Sequence, residues 1–409
     1  MSAAPLPAFA AYGIELEYMI VDAQTLSVRP VADALLSELA GAPAAEVDRG
    51  GLAWSNELVL HVLELKNARP SPDLPALAAA FQSEVGAIGR RLAAMGARLM
   101  PSAAHPWMDP HTETHLWPGE HAAIYRAYDR IFGCRSHGWA NLQSAHVNLP
   151  FADDGEFARL HAAIRLLLPI LPALAASSPI ADGGDSGLLD FRMEAYRSHV
   201  LKIPALIGAV IPDALASRLD HARALATMYR DLAPFDPEGV LRHEWVNARG
   251  AIPRFDRHAV EIRVIDVQEC PRADLAVAAA TIASVRALYE GRWGTLAGQR
   301  EIATDALAQI LRACIRDAEL TVIADAAYLR LLGYPGRRCE ARELWHHLIG
   351  TMPGEERRDW GEALDILLAR GPLARRILRA VAADFGRDKL RSVYGELCRC
   401  LEEGRMFLA

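Results

Sequence analysis

The strongest constraint on the fold is a segment near the N-terminus in which apolar and acidic side chains alternate. In GIELEYMIVD, residues 13–22, Ile14, Leu16 and Tyr18 alternate with Glu15 and Glu17. This period of two predicts a β-strand with one apolar face and one face that carries both carboxylates. Like charges roughly 6–7 Å apart on a strand face repel unless water or a cation separates them. The segment therefore indicates either a solvent-exposed strand face or a cation site.

Further strands and helices are predicted along the chain. The strands are residues 56–67, residues 141–150 and a pair near 244–248 and 258–267. The helices are residues 72–95, 154–176 and 211–232, together with nearly all of 272–409. Because the strands do not alternate regularly with helices, the pattern favours a mainly antiparallel sheet over a doubly wound parallel one. We therefore predict an α+β fold in which helices flank the sheet and the last third of the chain is helical.

Composition and known motifs exclude several classes of protein. The chain has 409 residues, 52% of them hydrophobic and 23% charged, which is typical of a globular protein with a sizeable core. Its 44 basic and 51 acidic residues leave a net charge of −7, and the arginines are scattered. Bulk attraction to nucleic acid or to an anionic membrane is therefore not expected. No G-x-G-x-x-G follows a predicted strand and no P-loop is present, so the standard phosphate-binding loops are unsupported.

Three features indicate a location in the reducing cytoplasm. The first residues lack the basic region of a signal peptide. The longest apolar stretch, residues 164–180, contains Arg165 and three prolines, which disfavours a membrane span. Six cysteines are too few for a disulfide scaffold. We interpret Cys134 and Cys270 as buried structural residues, with a nucleophilic role as the alternative.

Acidic residues recur in the second predicted strand, NELVLHVLELKN. Glu57 and Glu64 are seven positions apart, with His61 between them. On a regular strand this spacing places the two carboxylates on opposite faces unless a bulge or a turn intervenes. They are either charges on an edge strand or further ligands of a cation.

The two later strands add a histidine, an amide and an arginine. His146 and Asn148 share a face and offer a metal ligand and a hydrogen-bonding amide, although a histidine on a strand is often only structural. Glu261 and Arg263 also share a face. They form either a surface ion pair or a cation ligand beside an arginine that neutralises a transferring phosphoryl group. Asp266 follows in the same segment.

Two loops complete the candidate site. Residues 177–187 form a Gly-rich loop, followed by Arg192 and Arg197. Either these arginines bind a carboxylate or phosphate, or the segment is a surface loop without a ligand. Residues 105–119 contain three histidines, two tryptophans and three prolines and are predicted to be irregular. Both loops are candidate lids.

Five of these segments occur in the order found in one protein family. The chain resembles the glutamate–cysteine ligase family of the bacterial carboxylate–amine ligase type in GIELEYMIVD, ELVLHVLELKNARP, AHVNLP, LPALAASSPIADGGDSG and VEIRVIDVQECPRADLAVAA. The resemblance covers residues 10–290 and little of the remaining chain. It implies a catalytic fold like that of glutamine synthetase and the guanido kinases, with a curved, mainly antiparallel sheet.

The resemblance also implies a role for each candidate residue. In this family ATP phosphorylates a carboxylate, an amine displaces the phosphate, and Mg²⁺ or Mn²⁺ is held by acidic residues. The implied metal ligands are Glu15, Glu17, Glu57, Glu64, His146 and Glu261. The implied contacts of ATP and its metal are Glu15, His146, Asn148 and Arg263. Glu261 and Arg263 match catalytic positions, and Arg192 and Arg197 are candidates for binding the substrate carboxylate.

We therefore predict an ATP- and Mg-dependent ligase that activates the γ-carboxyl group of L-glutamate as an acyl phosphate and joins it to an amine such as L-cysteine. A ligase for another pair of substrates and a nucleotide-binding homologue without catalysis are the alternatives. Residues 1–290 are expected to form the catalytic core, and residues 291–409 a mostly helical region packed on it. The expected partners are small molecules and neither nucleic acid nor membrane; a homodimer follows from the resemblance alone.

Overall fold

The computed structural model describes residues 5–409, and its centre is an antiparallel sheet of eight strands in the order β2-β3-β4-β1-β6-β10-β9, with β5 paired to β1. The strands are β1 (Gly13–Asp22), β2 (Glu46–Asp48), β3 (Leu52–Asn56), β4 (Val62–Asn67), β5 (Ala97–Met100), β6 (Ser144–Pro150), β7 (Ile180–Ala181), β8 (Gly184–Asp185), β9 (Ala251–Arg254), β10 (Ala259–Asp266), β11 (Val322–Ile323) and β12 (Cys339–Glu340). The short pairs β7–β8 and β11–β12 lie outside this sheet. The predicted α+β fold with an antiparallel sheet is confirmed.

Helices surround the sheet and account for most of the last third of the chain. They are α1 (Ala32–Ala40), α2 (Leu74–Ala94), α3 (Pro110–Glu113), α4 (Ala122–Phe132), α5 (His137–Ala140), α6 (Asp154–Leu167), α7 (Leu171–Ala175), α8 (Phe191–Ser198), α9 (Arg218–Leu232), α10 (Pro271–Tyr289), α11 (Leu296–Glu301), α12 (Thr304–Asp317), α13 (Ala326–Leu331), α14 (Ala341–Gly350), α15 (Gly354–Asp359), α16 (Gly361–Arg370), α17 (Leu373–Val381) and α18 (Arg387–Glu403). Several begin where the sequence supplies an N-cap; Asp73, Asp153 and Ser217 each accept a backbone N–H of the first turn.

The alternation in β1 separates an apolar from a polar face of the sheet. Ile14, Leu16 and Tyr18 are buried in the main hydrophobic core, which also contains residues of α2, α6 and α10. Helix α10 packs against both α2 and α6 and is apolar on nearly every side, as expected of a helix inside a core. Burying the apolar face under helices leaves the opposite face, with its carboxylates, for the site.

Helices from the last third of the chain pack against the same core. Leu307, Trp345 and Leu364 belong to the hydrophobic cluster that contains Ile14. The Arg376 side chain forms a fully buried ion pair with Glu269, which precedes α10. The division into a core of residues 1–290 and a region of residues 291–409 stays a prediction.

Three predicted elements differ from the structure. Residues 56–67 are not one strand, because β3 ends at Asn56 and a tight turn leads into β4 at Val62. Residues 244–248 contain a short 3₁₀ helix, Glu244–Val246, and the strand that pairs with β10 is β9. The helix predicted over residues 211–232 begins only at Arg218, where Ser217 provides the cap.

The longest apolar helical stretch belongs to the core. Asp154–Ala175 is long and apolar enough by composition to cross a membrane, but 94% of its apolar window is buried inside the protein. Prolines divide it into α6, a 3₁₀ turn at Leu168–Ile170 and α7. Burial on all sides explains its apolar character.

Candidate active site

Four neighbouring strands bring polar side chains together on one face of the sheet. Glu17 lies opposite Glu64, and Glu15 lies opposite both Lys66 and His146. Glu261 lies opposite Asn148. Because directly opposed residues in an antiparallel pair point to the same face, these side chains form one continuous polar floor. Its members are Glu15, Glu17, Glu64, Lys66, His146, Asn148 and Glu261.

His146 lies at the centre of this floor and contacts acidic groups on both sides. Its Nδ1 donates to Glu15 Oε2 at 2.9 Å, and Asn148 donates to the other oxygen of Glu15 at 3.0 Å. The Ser144 hydroxyl donates to Glu17 Oε2 at 2.9 Å and therefore accepts from His146 Nε2, also at 2.9 Å. Both ring nitrogens are thus donors, which describes an imidazolium.

The charge of His146 and that of Glu15 depend on each other. Burial disfavours the imidazolium, but the hydrogen bond to Glu15 and the charges of Glu17 and Glu15 outweigh it and raise the pKa of His146 to about 9. Burial likewise disfavours the Glu15 carboxylate, yet the hydrogen bond and charge of His146 hold its pKa at about 2. The imidazolium takes the place that a cation would occupy among these carboxylates.

Glu261 connects the floor to two arginines. Arg263 Nε donates to Glu261 Oε1 at 3.1 Å, and Arg254 Nη1 donates to Glu261 Oε2 at 3.2 Å. Burial raises the pKa of Glu261, but the Arg263 guanidinium outweighs it and lowers the pKa below its usual range. Arg263 also reaches the Tyr196 hydroxyl at 3.5 Å. It is therefore held in place by its neighbours while it lines the cavity above the floor.

The tight turn between β3 and β4 brings Glu57 and Glu64 to the same cavity. Burial raises the pKa of Glu57 well above its usual range, and repulsion by Glu17 and Glu64 adds to this effect. Glu64 accepts from Ser55 at 2.5 Å and from Lys66 at 2.9 Å. Burial and the charge of Glu15 nevertheless raise the pKa of Glu64 to about 7. The repulsion among the carboxylates at this end therefore exceeds the stabilisation that their protein partners provide.

A buried ion pair lies beside the floor. Asp266 accepts from the Arg192 Nε, from the Ser177 backbone N–H at 2.8 Å and from the Ser178 hydroxyl at 2.9 Å. Arg192 Nη1 donates to the Arg263 carbonyl at 3.3 Å, whereas its buried Nη2 has no protein partner. Arg192 thus contributes an unused donor to the wall of the cavity.

The structure separates Arg197 from the other candidates. Arg197 pairs with Glu194 on the same helix, α8, and both side chains are about one-third exposed (36% each). It is not among the residues that line the cavity. The loops of residues 105–119 and 177–187 do not line it either, and His105, Trp107 and Met108 are buried. The substrate role of Arg197 and the lid role of the loops stay predictions.

The donor set fits a hard divalent cation. One ligand atom each from Glu15, His146 and Glu261 lie within 4.8 Å of one another. The carboxylate oxygens suit Mg²⁺ or Mn²⁺, and the His146 imidazole can join them as a ligand only after it has lost a ring proton. The second acidic group, Glu17, Glu57 and Glu64, supplies only oxygen donors, and its mutual repulsion is what a cation relieves. The residues therefore fit the predicted metal, although their role as ligands stays a prediction.

The floor belongs to a cavity of 460 Å³ that contains several groups not predicted from sequence. Lys66, Arg254 and Ser144 each contact a predicted residue. Ser144 and Lys66 lie two positions from His146 and Glu64, so strand periodicity alone could have identified them. The aromatic residues of the wall come from separate segments with no common pattern; they are Tyr125, Tyr128, Trp139, Tyr196 and Trp245.

Comparison with known proteins identifies the family. The profile of glutamate-cysteine ligase family 2 matches residues 11–321. The chain belongs to this family. Membership confirms the resemblance seen in the sequence and places the chain among ATP-dependent carboxylate–amine ligases.

Two relatives match this chain over nearly its whole length. A protein of Archaeoglobus fulgidus is 32% identical over 397 residues, which are 97% of this chain and 100% of the relative. A protein of Nocardia farcinica, provisionally named glutamate–cysteine ligase 2-1, is 28% identical over 401 residues, covering 96% of this chain and 93% of the relative. The likeness therefore continues through the helical last third.

Two solved structures share the family fold. A bifunctional glutathione synthetase from Pasteurella multocida matches 96% of this chain with a TM-score of 0.62 and 14% identity; the chain spans 52% of that longer protein. A glutamate–cysteine ligase from Francisella tularensis in complex with AMP matches 97% of this chain and 90% of its own length, with a TM-score of 0.59 and 14% identity. At this identity they establish the fold.

Proposed function

We propose that this protein activates the γ-carboxyl group of L-glutamate with ATP and transfers the γ-glutamyl group to an amine, forming an amide. The observation that carries the proposal is the polar floor, in which carboxylates and His146 of four strands lie on one face of the sheet, with Arg263 bonded to Glu261 beside them. Family membership and the relatives named as glutamate–cysteine ligases support the choice of substrate class. The AMP bound to the ligase of similar fold supports the use of ATP.

The reaction requires two displacements. An oxygen of the substrate carboxylate bonds to the γ-phosphorus of ATP, and the bond to the bridging oxygen breaks, so that ADP leaves with the electron pair. The amine nitrogen then bonds to the acyl carbon, the carbon–oxygen bond to the phosphate breaks, and phosphate departs. The nitrogen releases its surplus protons to solvent or to a neighbouring carboxylate. The products are the amide, ADP and phosphate.

The residues of the site match the charges that develop in these steps. Arg263 is held beside Glu261 and Tyr196, and in the proposed reaction its guanidinium would stabilise the transferring phosphoryl group. Arg192 carries an N–H without a protein partner, which suits a carboxylate of the substrate. Glu15, His146 and Glu261, with Glu17, Glu57 and Glu64, would hold Mg²⁺ or Mn²⁺. When bound, such a cation neutralises phosphate charge and orients the phosphates.

The decisive measurement is ADP release from Mg-ATP with L-glutamate, with and without L-cysteine and a panel of other amines, together with mass spectrometry of the product. The expected product is lighter than the two substrates together by one water. Glu15→Ala and Arg263→Ala should each abolish turnover without unfolding the protein. Arg391→Met, which removes a guanidinium from an exposed pair on α18, should not change it.

The outcomes separate the alternatives. ADP release that needs a different acid in place of glutamate would replace the proposed substrate and keep the ligase. ATP binding without ADP release under any combination would favour a nucleotide-binding homologue. The cytoplasmic location and the homodimer also remain predictions. All six cysteines are unpaired, which suits a reducing compartment.

A further inference from the structure

The cavity above the polar floor has an apolar end that the proposed chemistry does not use. On the polar face of β1 and β4, the next opposed pair after Glu17 and Glu64 is Met19 and Val62. On this side the cavity is lined by Leu58, Val59, Val62, Tyr125, Tyr128, Trp139 and Trp245, which we call the apolar end. It therefore begins directly where the row of carboxylates stops.

The apolar end is a continuous surface of rings and branched side chains. The ring centroid of Tyr128 lies 4.8 Å from that of Trp139 and 5.9 Å from that of Trp245. Leu58, Val59 and Val62 form a hydrophobic cluster against which Tyr125, Tyr128 and Trp139 pack. The four rings are only partly buried although they face a cavity. A concave aromatic surface of this kind gains free energy when an apolar group covers it.

The Trp139 ring of this surface is held in place by contacts within the protein. Trp139 Nε1 donates to the His199 carbonyl at 3.2 Å, and its ring lies edge-on to the His199 ring with centroids 4.6 Å apart. Gly138 allows this close packing, because a Cβ there would lie 2.6 Å from both Ala195 O and His199 Cβ. A wall held in this way loses little entropy when a ligand binds.

The charges around the cavity indicate which substrate enters from this side. The apolar end adjoins Glu17, Glu57 and Glu64, whose carboxyl oxygens accept hydrogen bonds from an ammonium group. A second cavity adjoins the opposite side of the floor at Glu15 and Lys66, and there Arg69 and Arg257 lie in a lining that also contains Glu46 and Asp48. The phosphates of ATP find cationic partners on that side, whereas the side chains of the apolar end carry no cation and suit the apolar part of an amine.

We propose that the acceptor amine carries a bulky apolar group, aromatic or branched, that binds in the apolar end. This inference rests on the ligase function proposed above. The apolar group packs between Tyr128, Trp139 and Trp245, and the nitrogen points toward the carboxylates, where it bonds to the acyl carbon as phosphate leaves. L-cysteine and methylamine reach the same acyl carbon without covering these rings.

The first test compares acceptors in the wild-type protein with Mg-ATP and L-glutamate. 2-Phenylethylamine and isoamylamine should be used with kcat/KM at least about tenfold above those of methylamine and L-cysteine, since burying several methylene-sized groups in a pocket gives about this discrimination. Equal or better use of the small amines would overturn the proposal. No variant is required for this comparison.

The second test uses Trp245→Ala, with Trp293→Ala as the matched control outside the cavity. Trp245→Ala should lower kcat/KM for 2-phenylethylamine by about tenfold and leave the KM of ATP and the rate with methylamine unchanged. An increase in the KM of ATP alone would assign the apolar end to the adenine ring and overturn the proposal. Trp293→Ala, which removes a ring packed on Gly333, should change none of these values.

Direct binding distinguishes failure of this inference from failure of the ligase function. If no acid and amine support ADP release, calorimetry of 2-phenylethylamine with the same proteins decides. If Trp245→Ala weakens this binding and Trp293→Ala does not, the result would support the apolar end as an amine site in a protein of different chemistry. No measurable binding of 2-phenylethylamine would overturn the inference.

Discussion

The buried pair between Asp266 and Arg192 offers a way to separate the stability of the fold from the geometry of the site. The side chains are 0% and 2% exposed. The carboxylate of Asp266 is the only acidic partner of Arg192 among the hydrogen bonds of the described residues 5–409. Asp266→Asn keeps the shape and the hydrogen-bond acceptor for Ser177 and Ser178 but removes the charge. Arg192 is then left charged, buried and uncompensated.

The expected magnitude follows from this burial. Breaking a buried pair by removing one partner costs about 3–5 kcal/mol, whereas removing both charges is close to neutral. Asp266→Asn should therefore lower the free energy of unfolding by about 3–5 kcal/mol, and adding Arg192→Gln should restore most of that loss. Activity should behave differently. Arg192 lines the cavity and bonds to the Arg263 carbonyl, so neither variant should recover the wild-type kcat/KM, which we expect to fall about 10- to 100-fold.

The assay is a double-mutant cycle measured by urea unfolding, with ADP release as the second readout. Arg197→Met provides the control on the same helix, since its pair with Glu194 is partly exposed on both sides and should contribute about 0–1 kcal/mol. Because Arg197 does not line the cavity, the same variant also tests its predicted substrate role: activity near the wild-type value would argue against that role, and a large loss would support it.

Two results would refute the reasoning. A loss below about 1 kcal/mol for Asp266→Asn would mean that the charge of Arg192 is compensated by solvent or by Asp190. Full activity in the double variant would mean that Arg192 has no part in positioning either substrate or Arg263.

Three further predictions concern the metal, the acid limit of stability and the C-terminal helices. Glu57→Gln should stabilise the metal-free protein by about 1 kcal/mol, because it removes repulsion with Glu17 and Glu64. The same variant should weaken Mn²⁺ binding at least about tenfold in calorimetry. Unchanged Mn²⁺ affinity would contradict the role of Glu57 as a ligand. Burial lowers the pKa of His161 to about 3, below its value in the unfolded chain. The free energy of unfolding is therefore undiminished by this group above about pH 6.5, and it falls by about 1.4 kcal/mol per pH unit as the pH falls toward 3. His161→Leu should flatten urea-unfolding free energies between pH 7 and 4, and an unchanged slope would argue against a neutral buried imidazole. Arg376→Met should cost about 3–5 kcal/mol because it leaves Glu269 unpaired and removes the bond to the Phe407 carbonyl; a loss no larger than that of the exposed Arg391→Met would show that the last helices are not anchored there.

Local periodicity was sufficient to predict much of the polar floor. In a strand, alternate side chains point to the same face regardless of what surrounds the strand. Glu15 with Glu17, and His146 with Asn148, could therefore be paired from sequence, and the structure places them on one face. The same rule predicted the apolar face of β1, because an amphipathic strand must bury that face against another layer. The order of the segments was enough to indicate the family, which the profile match confirms.

Interruptions of the strands could not be predicted in the same way. Alternation places Glu57 and Glu64 on opposite faces, but a turn between β3 and β4 brings both to the cavity. Alternation also separates Asp266 from Glu261 and Arg263. A register shift between Ile262 and Ile265 sets Asp266 opposite Ser144, on the same side as the floor. Such bulges and turns depend on how neighbouring strands pair, which the spacing within one strand does not record.

The sequence by itself determined the sheet, its polar face and the kinds of ligand that this face offers, because each follows from the pattern within a single element. Only the tertiary structure decided which charges compensate one another, such as Lys66 with Glu64 and Arg254 with Glu261. It alone also assembled the apolar end from β4, the preceding turn, α4, α5 and the 3₁₀ helix before β9. The physical reason is that these contacts join residues far apart in the chain, and their geometry depends on the packing of the whole core rather than on the periodicity of any segment.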